Sequence, residues 1–228
     1  MENNLTFEKI AKMIDHAMLK PETTRDEVEK GCVMALKYNI ASVCVKGCDI
    51  SMCASILKAS SVKVCGVVGF PHGSSSSRVK LYEAQEALSQ GANELDMVLN
   101  IARVKQADYS YIVNEIKDVL CLCRGSGVLL KLIFENCLLE RDEIISLCKI
   151  ASHTGVDFVK TSTGFSVCGA RTEDVALMRD YTKDTIGIKA AGGIKTLEDV
   201  IKFYNAGASR IGTSSTEKIM EQAKRIYV

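Results

Sequence analysis

Short runs of apolar residues alternate with longer amphipathic segments along the whole chain. A run of four to eight apolar residues is typical of a buried strand, whereas apolar residues that recur every three or four positions indicate a helix. Residues 77–91 show this helical period. A second helical segment begins at Thr196 and Asp199, which resemble a capping pair, and ends at Gly207. The pattern predicts eight strands: Met13–Ala17, Ala41–Lys46, Val62–Val68, Glu94–Asn100, Val128–Phe134, Asp157–Thr161, Thr185–Ala190 and Ser209–Gly212.

Eight strand–helix units in a chain of this length favour an α/β fold of the (β/α)8 TIM-barrel type. Runs such as VKVCGVVGF and LDMVLNI are almost continuously apolar, as expected of parallel strands covered on both faces. An open doubly wound sheet is the alternative, but the G-x-G-x-x-G turn that usually follows its first strand is absent. Because no linker or low-complexity tract divides the sequence, we expect one domain over residues 1–228.

The composition narrows the classes of protein to which the chain can belong. Of its 228 residues, 47% are hydrophobic, and Lys+Arg number 29 against 28 Asp+Glu, so the net charge of +1 favours neither nucleic acid nor an anionic membrane. No apolar run reaches the roughly 18 residues of a membrane span, and the first 20 residues do not resemble a secretion signal. The ten cysteines include no C-x-x-C pair, so we interpret them as reduced thiols in a cytoplasmic protein.

Three lysines stand where a barrel carries its catalytic groups, at the C-terminal ends of strands. Lys131, Lys160 and Lys189 follow one another at intervals of 29 residues, on three successive predicted strands. Buried lysines are rare unless they are paired or functional. The nearest acids in the pattern are Asp96 and Asp15, and no equal excess of acids is apparent around the lysines.

Clustered ammonium groups have a chemical consequence. A lysine beside a second cation in a partly dry pocket has its pKa lowered, and the neutral amine is a nucleophile that forms a Schiff base with a carbonyl. Asp96 or Asp15 can accept protons, or can hold one lysine charged while another stays neutral. The cluster therefore predicts carbonyl chemistry, although paired structural charges remain the alternative.

Glycines and hydroxyl residues follow the last predicted strands. Gly192–Gly193 comes after strand seven, Gly212–Ser215 after strand eight at the start of the last helix, and Ser162–Gly164 directly after Lys160. Glycines let the backbone approach an anion, to which helix N-terminal N–H groups and hydroxyls donate hydrogen bonds. Since the loops after strands seven and eight recur as phosphate sites in this fold, the sequence predicts a phosphate-binding rim.

Motifs along nearly the whole chain carry a resemblance to a known family. In order they are IDHAMLKPETT, VVGFPHG, GANELDMVLNI, LLKLIFENCLL, DFVKTSTGFS, IGIKAAGGIKT and SRIGTSS. The sequence resembles the deoxyribose-phosphate aldolases, which are class I, Schiff-base enzymes. The resemblance implies reversible cleavage of 2-deoxy-D-ribose 5-phosphate to acetaldehyde and D-glyceraldehyde 3-phosphate, with a small phosphosugar as partner and no metal or organic cofactor.

The resemblance also assigns roles to individual residues. Lys160 matches the Schiff-base lysine, Lys189 the second lysine that depresses its pKa and relays protons, and Asp96 the proton donor and acceptor. The positions that match substrate-binding residues of the family are Asp15, Cys44 and Lys131. The positions that match its phosphate-binding elements are Gly164, Gly192, Gly193, Ser214 and Ser215.

The chain departs from the family pattern in three places. Lys46–Cys48 follows Cys44 where an Asn or Gln and a Pro are usual, and Phe134–Cys137 reads F-E-N-C in place of I-E-T-C. A tyrosine of the C-terminal tail reaches the site in some members, and the tyrosine available here is the penultimate residue, Tyr227.

Two other functions fit the same residues. One is another class I aldolase or transaldolase that takes a ketone donor, and the other is a non-catalytic barrel that binds a sugar phosphate. His16, His72 and His153 are dispersed and lack the spacing of a metal site, so no metal is expected. Barrels of this kind commonly dimerise, which makes a homodimer a possible assembly.

Overall fold

Eight parallel strands close into a barrel in chain order in the computed structural model, which describes residues 5–227. The barrel closes where β8 pairs with β1, with Ile14 opposite Ile211. All eight predicted strands are present within a few residues of the expected bounds, which confirms the (β/α)8 fold. The strands are β1 (Ile14–Met18), β2 (Ser42–Val45), β3 (Lys63–Val68), β4 (Glu94–Val98), β5 (Leu129–Ile133), β6 (Phe158–Lys160), β7 (Gly187–Ala191) and β8 (Arg210–Thr213).

Helices surround the barrel, and local signals define where they begin and end. The predicted capping pair is present: Thr196 Oγ1 accepts from the Asp199 N–H at 3.2 Å, and Asp199 Oδ2 accepts from the Thr196 N–H at 3.0 Å. Gly207 follows that helix with φ 109°, in the left-handed region that favours glycine. The helices are α1 (Phe7–Met13), α2 (Arg25–Tyr38), α3 (Ile50–Leu57), α4 (Ser77–Ser89), α5 (Ile101–Lys105), α6 (Tyr109–Ser126), α7 (Arg141–Thr154), α8 (Thr172–Tyr181), α9 (Leu197–Asn205) and α10 (Thr216–Tyr227).

The alternation of side chains along the strands separates an apolar layer from a charged interior. On β4, Leu95 and Met97 belong to the hydrophobic core between strands and helices, while Asp96 is buried on the other face. On β5, Leu130 and Leu132 join the same core and Lys131 points the opposite way, toward Asp96. The interior of the barrel therefore holds charged groups, and the helices cover its apolar outside.

A second buried ion pair lies outside the barrel and joins α4 to α6. Lys80 Nζ is 2.9 Å from Glu115 Oε1 and donates to the carbonyl oxygen of Val98 at 2.7 Å. Burial lowers the pKa of Lys80 and raises that of Glu115. The pair fixes the two helices against the end of β4, directly beside the barrel mouth.

The helices of residues 5–227 include none with the length and apolar character that a membrane crossing requires. All ten cysteines are free thiols, and six of them are buried. Cys48 and Cys121 are exposed to solvent. The buried thiols occupy core positions, as predicted for small hydrophobic side chains.

Candidate active site

One carboxylate, that of Asp96, lies at the centre of the three predicted lysines. Asp96 Oδ2 is 2.7 Å from Lys160 Nζ and 2.7 Å from Lys189 Nζ, and Oδ1 is 3.0 Å from Lys131 Nζ. The four residues come from the adjacent strands β4 to β7, whose register places Asp96 opposite Lys131 and Lys160 opposite Lys189. All four are almost fully buried. The structure thus brings together the lysines and the acid that sequence spacing singled out.

Two more carboxylates and a guanidinium surround this centre. Asp15 lies 2.6 Å from Lys189 Nζ, Glu94 lies 2.6 Å from Lys131 Nζ, and Arg210 contacts both acids. The expectation that acids are scarce around the lysines is therefore wrong, because three carboxylates are interleaved with four cations. Sequence reasoning missed Glu94 and Arg210. The available signal was that Glu94 stands two residues before Asp96 on the same strand, so both point to one face.

The charges in this cluster stabilise one another. Burial acts to lower the pKa of Lys189 and of Lys131, but the neighbouring carboxylates outweigh it and raise both above the ordinary lysine range. Burial likewise acts to raise the pKa of Asp15 and of Asp96, and the surrounding cations instead hold both well below the usual range. These four groups are therefore ionised at neutral pH.

Two thiols lie against the central carboxylate. Cys44 Sγ is 3.7 Å from Cys65 Sγ, and the Cys65 thiol donates to Asp96 Oδ1 at 3.1 Å. Ligand atoms of Cys44, Cys65 and Asp96 all lie within 4.8 Å of one another. Lys131 Nζ, however, is 3.4 Å from Cys65 Sγ and 3.0 Å from Asp96 Oδ1, so a divalent cation would meet an ammonium group there. The donor set does not fit a resident metal.

A cavity of about 230 Å³ opens above the cluster at the C-terminal ends of the strands. Lys160 and Lys189 reach it, together with Asp15 and Cys44, whereas Lys131 and Asp96 are not among its lining residues. Lys20 and Lys195, which the sequence analysis did not select, also line it. The remaining lining residues are Ala17, Leu19, Thr163, Gly164, Phe165, Ala191, Gly192, Gly193, Ile194, Gly212, Thr213 and Ser214.

The rim of the cavity is built largely from backbone. Gly164, Gly192 and Gly193 have φ values of 90°, 91° and 82°, in the left-handed region that side chains rarely adopt. A Cβ added at Gly192 would lie 2.7 Å from the Cα of Gly169, so the loops after β6 and β7 touch without side chains between them. Four of the five predicted phosphate-binding residues line the cavity. Ser215 does not, and its backbone N–H donates to Thr213 Oγ1 at 2.9 Å.

The segments that depart from the family pattern make contacts of their own. Lys46 donates to the carbonyl oxygen of Thr23 at 2.8 Å, which ties the unusual loop after β2 to the loop after β1. In the F-E-N-C segment, the glutamate shared with I-E-T-C is Glu135, which has φ 58° and accepts hydrogen bonds from the backbone N–H of Thr163 at 3.1 and 3.3 Å, and so holds the loop after Lys160. In the described chain, Tyr227 packs against the hydrophobic core and is not among the residues that line the cavity.

Comparisons with known proteins point to one family. A family model described as DeoC/LacD family aldolase matches residues 9–221. Deoxyribose-phosphate aldolases of Clostridium kluyveri and Thermoanaerobacter sp. are 48% and 45% identical to this chain, over 94% and 95% of its length and 98% of theirs. The deoxyribose phosphate aldolase of Aeropyrum pernix, described as tetrameric, superimposes with a TM-score of 0.89 at 31% identity and covers 96% of this chain and 92% of its own. The homodimer expected from the sequence stays a prediction.

Proposed function

This chain is an enzyme of the DeoC/LacD aldolase family, and on that premise we propose that it cleaves 2-deoxy-D-ribose 5-phosphate reversibly through a Schiff base on Lys160. The products are acetaldehyde and D-glyceraldehyde 3-phosphate. The observation that carries the proposal is the unequal share of negative charge among the buried cations. Of the two cluster lysines that line the cavity, Lys189 contacts two carboxylates and Lys160 contacts one, which it shares.

The number of positive and negative charges in the cluster supports a neutral amine at Lys160. Four cations face three carboxylates, so full ionisation leaves one excess positive charge in a buried site, which is unfavourable in a medium of low dielectric. Lys131, Lys189 and Arg210 each contact two of the carboxylates. Lys160 has only Asp96 Oδ2, in common with Lys189. Loss of the proton from Lys160 balances the cluster, and it creates the nucleophile that Schiff-base chemistry requires.

The reaction follows from that amine. Lys160 Nζ attacks the C1 carbonyl carbon, and loss of water leaves an iminium ion. Removal of the C3 hydroxyl proton forms the carbonyl of glyceraldehyde 3-phosphate, the C2–C3 bond breaks, and its electron pair moves into an enamine on Lys160. Protonation of the enamine at C2 and hydrolysis of the iminium release acetaldehyde and restore the amine. The iminium is the electron sink, so the chemistry needs no Lewis acid.

Lys189 and Asp96 have separate parts in the proton transfers. Lys189 is charged, lines the cavity and lies 2.7 Å from Asp96 Oδ2, so it is the acid placed to donate a proton to the reacting carbons and oxygens. Asp96 holds both lysine nitrogens at one oxygen and passes protons between them. General acid–base help of this kind typically contributes about 10²–10⁴-fold to the rate.

The glycine rim supplies a place for the phosphate. Gly164, Gly192, Gly193 and Ser214 line the same cavity as Lys160, next to the start of α10 at Thr216. A phosphate held there fixes the far end of the five-carbon chain and directs C1 toward the amine. We expect unphosphorylated deoxyribose to react much more slowly, and equal rates for the two sugars would contradict this placement.

Reductive trapping tests the proposal. Acetaldehyde and borohydride should attach one ethyl group to Lys160, located by peptide mapping, while a Lys160→Met variant should lose both the label and the activity. Lys195 lines the same cavity and serves as the internal control for general lysine reactivity. An unlabelled Lys160, or equal labelling of Lys160 and Lys195, would overturn the assignment. Formation of a ketose phosphate in place of the acetaldehyde adduct would favour the aldolase or transaldolase that takes a ketone donor.

The cellular location of the enzyme is part of the same proposal. All ten thiols are free, six of them buried, as is typical of proteins in a reducing compartment. We place the enzyme in the cytoplasm, in the degradation of deoxyribose phosphate. A fractionation of cells that found the protein in an oxidising compartment would contradict this location.

A further inference from the structure

Two cysteines face each other inside the barrel, and one of them, Cys44, lines the cavity. Cys44 on β2 and Cys65 on β3 are direct register partners, and their sulfur atoms are 3.7 Å apart. Both sulfurs also lie near Asp96, with Cys65 Sγ 3.1 Å from Oδ1 and Cys44 Sγ 3.8 Å from Oδ2. The two side chains therefore point to the same face, which is the inside of the barrel.

This arrangement meets the geometric conditions for a disulfide. Neighbouring strands run about 4.8 Å apart, and a disulfide joins residues whose Cα atoms are about 4.4–6.8 Å apart. The sulfurs must approach by roughly 1.7 Å to reach the bonded distance of about 2.05 Å.

Access and reactivity differ between the two thiols. Cys44 lines the cavity, so a small oxidant that enters the active site reaches it first. Contact with the Cys65 thiol lowers the pKa of Cys44 and outweighs burial and the Asp96 carboxylate, which act to raise it, while Lys189 also acts to lower it. Burial and then the contact with Cys44 raise the pKa of Cys65 well above its ordinary value. Cys44 is thus the attacking thiolate, and Cys65 is the resolving thiol behind it.

We propose that Cys44 and Cys65 form a reversible thiol–disulfide switch, closed by a hydroperoxide and opened by a dithiol, that turns the active site off. The inference rests on the proposed function, since it regulates that same site. The Cys44 thiolate attacks the peroxide oxygen, the O–O bond breaks, and the departing alkoxide or hydroxide takes up a proton. The Cys65 sulfur then attacks the sulfur of the resulting Cys44 sulfenic acid, the S–O bond breaks, and the hydroxide leaves as water with the Cys65 proton. The two thiols lose two electrons, which reduce the hydroperoxide to an alcohol and water, or hydrogen peroxide to two waters.

The closed form disturbs the catalytic cluster. A disulfide removes the thiol hydrogen that Cys65 donates to Asp96 Oδ1 and moves the sulfur that Lys131 contacts at 3.4 Å. It also shifts Cys44 within the cavity wall. Because a misplacement of about 1 Å in an active site can cost about 10² in rate, we expect oxidation to reduce aldolase activity by at least about tenfold.

The chain contains a matched control pair. Cys32 on α2 and Cys53 on α3 have sulfurs only 3.5 Å apart and are fully buried, but neither lines the cavity above Lys160. If proximity alone decided oxidation, this pair would close at least as readily as the first. If access through the active site decides it, only Cys44 and Cys65 close.

In the experiment, the full-length protein is treated with a small excess of hydrogen peroxide. Its free thiols are then blocked and its peptides are mapped without reduction. Aldolase activity is measured after the oxidation, before and after the addition of dithiothreitol. In the wild type we expect a Cys44–Cys65 linked peptide together with an activity loss that dithiothreitol reverses. A Cys53→Ser variant should behave as the wild type. A Cys65→Ser variant, judged against its own untreated activity, should form no linked peptide and should not recover fully.

Several results would overturn the switch. These are Cys44 and Cys65 recovered as separate blocked peptides after inactivation, a Cys32–Cys53 link formed at the same rate, and a Cys44–Cys65 link that leaves activity unchanged. The exposed Cys48 and Cys121 are followed in the same map, and loss of activity that tracks their intermolecular linkage would also count against the proposal. The peptide map needs no turnover. An untreated protein without aldolase activity would therefore refute the proposed function, while the map would still decide whether the pair closes.

Discussion

Replacement of Lys189 by methionine should move the acidic limb of the pH–rate profile to higher pH. Lys160 and Lys189 each place Nζ 2.7 Å from the same oxygen of Asp96, so the two nitrogens are at most twice that distance, about 5.4 Å, apart. At an effective dielectric constant of about 20, two like charges at this separation repel by about 3 kcal/mol. Removal of Lys189 relieves that repulsion and leaves Asp96 Oδ2 to Lys160 alone, while Lys131 stays on Oδ1. Both effects favour the charged, non-nucleophilic form of Lys160.

The sign and size of the shift follow from these energies. Since about 1.4 kcal/mol corresponds to one pH unit, the limb should rise by about two units. At a fixed pH below the limbs of both proteins, the variant should be about a hundredfold slower for this reason alone. Loss of the Lys189 proton donor lowers the plateau of the profile as well, and the plateau and the limb are measured separately in one titration.

The assay is the initial rate of glyceraldehyde 3-phosphate formation, followed through a coupled dehydrogenase across acidic and alkaline pH. Lys189→Arg is the control, because it keeps a positive charge at the same position and should leave the limb near its wild-type pH while its plateau falls. A methionine variant with a lower plateau and an unmoved limb would refute the charge-count argument for Lys160. A limb that moves equally in the arginine variant would show that shape, and not charge, is responsible.

Three further predictions concern the barrel mouth and its support. Lys80→Met leaves the Glu115 carboxylate buried without its cation and should destabilise the protein by about 3–5 kcal/mol in urea denaturation. The double variant Lys80→Met/Glu115→Leu should recover most of this loss. Equal stability of the single and double variants would contradict the pairing. Gly212→Ala places a Cβ 2.9 Å from Ala191 Cβ and 3.3 Å from Lys189 Cε, so β7 must shift beside Lys189. The variant should lower kcat by about tenfold or more with the fold intact by circular dichroism, and an unchanged kcat would contradict the need for a fixed Lys189. Gly193→Ala adds a Cβ in open space at φ 82°, which strains the backbone by about 1–2 kcal/mol. It should raise KM for the phosphorylated sugar without changing the rate with deoxyribose. A parallel change with both sugars would argue against a phosphate contact at this loop.

Sequence periodicity predicts the barrel well because a strand of the barrel is a local feature. The alternation on β4 and β5 assigns Leu95 and Leu130 to the apolar layer and places Asp96 beside Lys131 on the inner face. Neighbouring strands in chain order are also neighbours in space in this fold. Residues on β4 to β7 can therefore be brought together by reasoning from spacing alone, and the structure places them in contact.

Contacts across the barrel cannot be read in the same way. Arg210 on β8 reaches Glu94 on β4, four strands away in the order around the barrel, and also Asp15 on β1. Such a contact depends on the diameter of the closed barrel and on the length of the arginine side chain, neither of which appears as a period in the sequence. The pairing of Cys44 with Cys65 was missed for a related reason, because spacing rules for thiols address residues close along the chain and these two meet through strand register.

The interior of this barrel unites stability and chemistry in one set of charges. An apolar interior would tolerate the removal of single side chains at the cost of a cavity. Here each of Lys131, Lys189 and Arg210 contacts two carboxylates, so the removal of any one takes a partner away from two buried acids. Lys160 is the exception, because Asp96 keeps two other ammonium contacts without it. Its replacement by a neutral side chain keeps three cations for three carboxylates and should leave the fold intact while it abolishes the reaction. The residue that the chemistry needs most is thus the one that the fold needs least.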